Sequence, residues 1–176
     1  MRFGWRTSEV AEAKLPDCIR VFPICPDGTV WEPDSVKALI DGICERHKVD
    51  LNRIYLTGYS MGGRGTWDTA LEYPDTFAAV LPLCGFSCYL RAKRMKNVPA
   101  WAIHGDKDFV VPVEESKKMI SALKWEGCPD ARLTVIENEG HGVSWVYRHE
   151  QVWDWLFSKT KEKGKNDKHP KLAGKS

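Results

Sequence analysis

Apolar residues gather into short runs separated by stretches of helical spacing, and this alternation predicts five strands and four helices. The runs at 18–23, 53–57, 78–83, 100–104 and 132–136 are strand-sized and apolar on both faces, as strands buried within a sheet are. Between the first two, Asp34 and Ser35 are placed to cap a helix over 36–48 that carries Val36, Leu39, Ile40 and Ile43 along one side. A helix over 64–73 with Trp67, Ala70 and Leu71 on one side is closed by Pro74. Further helices are expected over 112–125, with Val113, Met119, Ile120 and Leu123, and over 147–160, with Val152, Trp153, Leu156 and Phe157. Short buried strands alternating with helices define an α/β class: a three-layer α/β/α sandwich around a mostly parallel sheet.

In such a sheet the reactive groups are sought outside the carboxyl ends of the strands. The segment Gly58-Tyr59-Ser60-Met61-Gly62 follows the second run and has the Gly-x-Ser-x-Gly pattern of a nucleophile elbow, which holds a strained serine above the sheet. The fourth run leads into Gly105-Asp106-Lys107-Asp108, and the fifth into Glu139-Gly140-His141-Gly142. A serine hydroxyl holds its proton too tightly to attack near neutral pH, and a histidine oriented by a carboxylate can remove it. His141 is the candidate base. His104, at a strand end, reads as an internal hydrogen-bonding residue. Spacing alone leaves Asp106 and Asp108 both open as the acid. The backbone N–H of Met61, just after the serine at a helix start, is a candidate oxyanion donor, and no loop supplying a second donor is evident.

Composition narrows the remaining classes. The net charge of +2 is uneven: Lys159 to Ser176 holds seven lysines and two acidic residues, so 1–158 is expected to form one domain and 159–176 a basic, disordered tail. That tail lacks the interleaved aromatics of a nucleic-acid binder. No apolar run is long enough to span a membrane, and the polar start, Met1-Arg2-Phe3-Gly4-Trp5-Arg6, lacks the core of a signal peptide, so a cytoplasmic location is expected unless the amino end has been trimmed. Cys18, Cys25, Cys44, Cys84, Cys88 and Cys128 show no metal-binding spacing, so no metal and no cofactor are expected.

With these motifs in place, the chain resembles the α/β-hydrolase superfamily, in particular its carboxylesterase, polyhydroxybutyrate-depolymerase-like and feruloyl esterase branch. The resemblance rests on the segments beginning at Cys25, Arg53, Gly65, Tyr73, His104 and Gly140, which extend over most of 18–157. It implies Ser60 as nucleophile, Asp108 as acid, His141 as base and the Met61 N–H as oxyanion donor. It also implies strands ahead of 18–23, including one that ends in a His-Gly-rich loop, and 1–17 contains no such loop. The chain therefore looks like a truncated or minimal member with a gap in its sheet. An exposed sheet edge is a pairing liability, so a homodimer through that edge is expected.

Trp31, Tyr59, Cys84, Phe86, Phe109 and Trp145 fall in or beside the rim turns and are the expected substrate-pocket residues. The resulting expectation is a serine carboxylesterase acting on small acyl or feruloyl-type esters, with a small-molecule ester substrate and neither nucleic acid nor membrane as a partner. The rival is a weakly active or non-catalytic hydrolase-like binding protein that lacks a complete oxyanion hole.

Overall fold

The computed structural model describes Leu15 and residues 17–161. Four strands, β1 (Tyr55–Tyr59), β2 (Ala79–Leu83), β3 (Ala100–Gly105) and β4 (Ala131–Ile136), form one sheet in the order β1-β2-β3-β4. Every pairing is parallel, with Tyr59 opposite Leu83 and Gly105 opposite Ile136. The carboxyl ends of all four strands therefore lie along one rim.

Side chains that alternate along the strands separate two cores. One face carries Val80, Ala100 and Ala102, covered by Trp67, Ala70 and Leu71 of α2 (Met61–Glu72) and by Met119, Ile120 and Leu123 of α3 (Val113–Trp125). Ile40 of α1 (Pro33–Arg46) packs at the edge of this layer. The opposite face carries Ala79, Leu81, Leu83 and Ile103, covered by Val143, Val146 and Tyr147 and by Val152, Trp153 and Leu156 of α4 (Glu150–Phe157). The result is the α/β/α arrangement that the alternation predicts.

Three boundaries differ from expectation. Helix α1 starts at Pro33 and has no side-chain cap. Proline at the first helical position has the right φ and no N–H to satisfy, which frees the Asp34 carboxylate to accept the Tyr73 hydroxyl at 2.7 Å. The single helix expected over 147–160 is a 3-10 turn, Val143–Arg148, followed by α4, with extended backbone at His149 between them. The Trp153 indole N–H closes that corner on the Tyr147 carbonyl at 2.7 Å. The strand expected at 18–23 is absent: the segment has no regular structure, and Ile19, Val21 and Phe22 are all exposed. An apolar run becomes a strand only when a neighbour takes its backbone hydrogen bonds, and among the described residues nothing pairs with it.

The start of the lysine-rich segment is bound to the body. Lys159 Nζ lies 2.6 Å from Asp130, and the Lys161 N–H donates to the Asn52 carbonyl. The rest of the expected tail, and nearly all of 1–17, lies outside the described residues.

Asp130 ties the carboxyl-terminal layer to the edge of the sheet. Burial raises its carboxyl, but hydrogen bonds from Arg132, Lys159 and the Trp155 indole outweigh burial and bring it down to about 2. A carboxyl lowered by folding stabilises the fold above its ordinary value of 3.8 and loses that contribution as the pH falls towards about 2. Asp130→Asn should therefore cost about 1–2 kcal/mol near neutral pH. In urea unfolding, the gap between variant and wild type should close as the pH is lowered through that window.

Candidate active site

The rim draws its functional side chains from three different loops. Ser60 stands between β1 and α2 with φ 57° and ψ −115°, a strained conformation for a residue with a side chain. Two features hold it there. The Ser60 N–H donates to the Leu83 carbonyl at 2.9 Å. Gly58 has no β-carbon to strike the Gly62 backbone where strand turns into helix. Asp108 lies in the turn after β3, and His141 in the loop after β4.

The structure brings these three together. Ser60 Oγ lies 2.7 Å from His141 Nε2, and His141 Nδ1 lies 2.7 Å from Asp108 Oδ2. A carboxylate only accepts, so Nδ1 carries the proton, and the neutral ring presents a bare Nε2 to the serine hydroxyl. Asp108 is buried, while the His141 side chain keeps 20% exposure, enough to meet a ligand from solvent. Tyr59 steadies the histidine loop by donating its hydroxyl to the His141 carbonyl at 2.6 Å, with the two rings 5.1 Å apart.

Asp108 is the most heavily bonded group in the site. Its Oδ1 accepts the N–H groups of Val110 and Val111, each at 2.9 Å. Burial alone would raise its carboxyl, but hydrogen bonds from His141, Val111, Val110 and the Cys84 thiol hold it below the usual carboxylate range. Behind it lies His104, fully buried, with Nε2 3.2 Å from Asp108 Oδ2. Cys84 is also fully buried, with φ 45° after β2, and burial pushes its thiol up to about 12. Asp106, the other acid left open by spacing, is exposed and donates its backbone N–H to the Ile136 carbonyl across the sheet.

The remaining candidates are spread more widely. Met61 opens α2, where an N–H has no acceptor within its own helix. Trp31 packs against α2 where Gly65 makes room for it. Phe86 lies under the Arg64 guanidinium at 5.3 Å, Phe109 is 95% exposed, and Trp145 contacts the His149 ring at 5.3 Å. Only Tyr59 and Cys84 of the expected pocket residues make hydrogen bonds into the site. Sequence reasoning missed Ser116, whose hydroxyl lies 2.8 Å from His104 Nδ1. Its sole sequence signal is a polar residue on the inward side of a helix.

Fold and site together define an α/β hydrolase. The model of the dienelactone hydrolase family matches residues 31–169, and the chain belongs to that family. It is 30% identical over 129 residues to a putative carboxymethylenebutenolidase of Escherichia coli, covering 66% of this chain and 47% of that protein. It is also 30% identical over 80 residues to a bifunctional acetylxylan esterase/xylanase of Neocallimastix patriciarum, covering 46% of this chain and 12% of that protein. Among solved structures, a thermostable esterase aligns with TM-score 0.67 and 36% identity, over 72% of this chain and 36% of the other. The chain spans less than half the length of the curated relatives it matches.

These findings correct the expected function. The sequence reading was a serine carboxylesterase in which a nucleophile elbow fed one self-contained Ser-His-Asp triad, with Cys84 among the pocket residues. The chain has a buried Cys84, His104 and Asp108 cluster whose donor and acceptor atoms lie within 4.8 Å of one another, and its family is that of the dienelactone hydrolases. Asp108 thus faces a thiol and a second imidazole as well as His141. The serine-carboxylesterase label, which rested on the elbow, the order of Ser60, Asp108 and His141 and the resemblance, is set aside.

Among the described residues, this cluster is also the set with the spacing to hold a metal. Its chemistry fits a hydrogen-bonded network better: the thiol is raised to about 12, and His104 Nε2 already donates to the Val111 carbonyl at 2.8 Å. Both groups carry protons, where a cation would need lone pairs.

Glycine permits the close approach that places the histidine loop. A β-carbon on Gly105 would run into the carbonyl oxygens of Gly140 and Glu139. Gly105→Ala should destabilise the fold by about 1–3 kcal/mol in urea melts. A crystal structure of the variant should show residues 139–141 displaced from the Asp108 turn.

Proposed function

We propose that this chain is a hydrolase of small-molecule esters, lactones among them, working at the rim centre that joins Ser60, His141, Asp108 and the buried Cys84 and His104. One observation carries the reading: His141 is hydrogen-bonded through both ring nitrogens, to a buried carboxylate on one side and to a hydroxyl on the other. That arrangement suits a proton shuttle. The group bonded to Nε2 passes its proton to the ring as its oxygen bonds to the ester carbonyl, and the carbonyl electron pair moves onto oxygen. Asp108 stabilises the imidazolium that results. Collapse of the tetrahedral species breaks the bond to the alkoxide, which takes the proton from Nε2; in a lactone this leaving oxygen stays tethered to the acyl chain. Water deprotonated by His141 then releases the acid.

Geometry favours Ser60 Oγ as the attacking atom, because it occupies the position at Nε2. The buried Cys84 thiol, pushed up to about 12, donates to the His141 carbonyl oxygen at 3.7 Å. The Met61 N–H supports the role of oxyanion donor by opening a helix beside Ser60. Ester hydrolysis is supported by membership of the dienelactone hydrolase family and by likeness to a thermostable esterase.

A fluorophosphonate probe followed by intact-mass measurement tests this reading. Wild type should gain one adduct, and His141→Ala should lose it. Loss in Ser60→Ala with retention in Cys84→Ala agrees with the geometry at Nε2. Retention in Ser60→Ala with loss in Cys84→Ala would move the attack to the thiol, and no adduct on wild type would reject the hydrolase reading.

The outer side of β1, which no described strand covers, supports a homodimer paired edge to edge. Sedimentation velocity should then find twice the chain mass; a monomer rejects the pairing.

A further inference from the structure

Resting on the proposed hydrolase centre, the geometry points to His104 as a positioning residue. It holds the Asp108 turn in place for His141 through the Val111 carbonyl, and Ser116 selects the tautomer that lets it do so.

The tautomer follows from the partners. His104 Nε2 lies 2.8 Å from the Val111 carbonyl oxygen, an atom that can only accept, so Nε2 carries a proton. The neutral ring then has a bare Nδ1, and the Ser116 hydroxyl, 2.8 Å away, donates to it. Nε2 also lies 3.2 Å from Asp108 Oδ2, and Val111, whose carbonyl takes its proton, donates its own N–H to Asp108 Oδ1. His104, Ser116 and the Asp108 side chain are all at 0% exposure, so no water replaces a lost partner without entering the core.

The carboxylate is consequently clamped on both oxygens. Oδ1 takes the two backbone N–H groups of its own turn, while Oδ2 takes the His141 Nδ1–H and has the His104 ring 3.2 Å away. The Cys84 thiol lies beside it. The His104 contact comes from β3 and is locked by α3 through Ser116, so it fixes the turn to the core of the fold. Without it, the turn that carries Asp108 would lose its tie to β3 and α3. The charged or titratable groups facing the pair are His141, Cys84 and Glu114, the last sensing His104 electrostatically from the first turn of α3.

The test compares wild type with His104→Leu, His104→Gln and Ser116→Ala. The readouts are hydrolysis of p-nitrophenyl acetate and the low-field proton resonance of the hydrogen-bonded His141 Nδ1–H. Leucine removes the donor, and kcat should fall roughly 100-fold, with KM within about twofold, because a misplaced acid leaves ground-state binding untouched. The low-field resonance should weaken or vanish. Glutamine retains an N–H donor and should recover most of the loss and restore the resonance. Ser116→Ala, which leaves the ring in place with its tautomer unselected, should lower kcat about tenfold on the same reasoning.

Two results would overturn the proposal: a folded His104→Leu with wild-type kcat and resonance, or glutamine as impaired as leucine. If the leucine variant does not fold, Ser116→Ala decides, and wild-type kcat and resonance in it reject the role. If wild type itself hydrolyses nothing, the proposed function fails, while the resonance still decides whether His104 holds Asp108.

Discussion

The arrangement at the rim depends on one buried carboxylate. Asp108 is reached by donors from its own turn and from the loop after β4, with the Cys84 thiol of the turn after β2 and the His104 ring of β3 beside it. A bare carboxylate in that position would be strongly disfavoured by desolvation, and here its hydrogen bonds more than offset the penalty, holding it ionised. Each bond that stabilises the charge also fixes a loop. Charge stabilisation and site assembly are therefore the same set of interactions, and a change that removes one donor loosens a segment as well as shifting an equilibrium.

The parallel sheet makes this convergence possible. Successive strands pair in chain order, so the turns after β1, β2, β3 and β4 are neighbours along one edge. Two close backbone approaches bring them nearer than side chains would allow: Gly63 against Gly85 and Gly105 against Gly140. Positive φ at Ser60 and Cys84 turns both side chains away from the strand direction. Left-handed backbone recurs at Asn138 in the turn after β4, and at Ser60 the strained turn is held by its N–H on the Leu83 carbonyl of the adjacent strand.

Much of the frame was legible in the sequence because it is written in periodicity. The runs near 55, 79, 100 and 132 are apolar in a way only a buried strand tolerates, and each appears within a few residues of its expected place. The run at 18–23 looked the same and forms no strand, because pairing depends on a neighbour that apolar character cannot supply. Ser60, Asp108 and His141 were legible as a nucleophile, acid and base series on the rim, with Asp108 preferred to Asp106 mostly through resemblance. The partnership of Cys84, His104 and Ser116 with the acid was not legible. It depends on ring orientation and on which nitrogen bears the proton, and neither leaves a trace in spacing. Family membership and this buried cluster changed the functional reading from a simple serine carboxylesterase to a dienelactone hydrolase relative with a shared acid.

The claim that Asp108 assembles the rim is most directly tested by a crystal structure of Asp108→Ala. The account predicts an intact sheet and helices, with the turn at 108–111 rearranged and the His141 ring withdrawn from Ser60 beyond hydrogen-bond distance. A structure in which His141 Nε2 remains bonded to Ser60 Oγ and the turn keeps its path would contradict it.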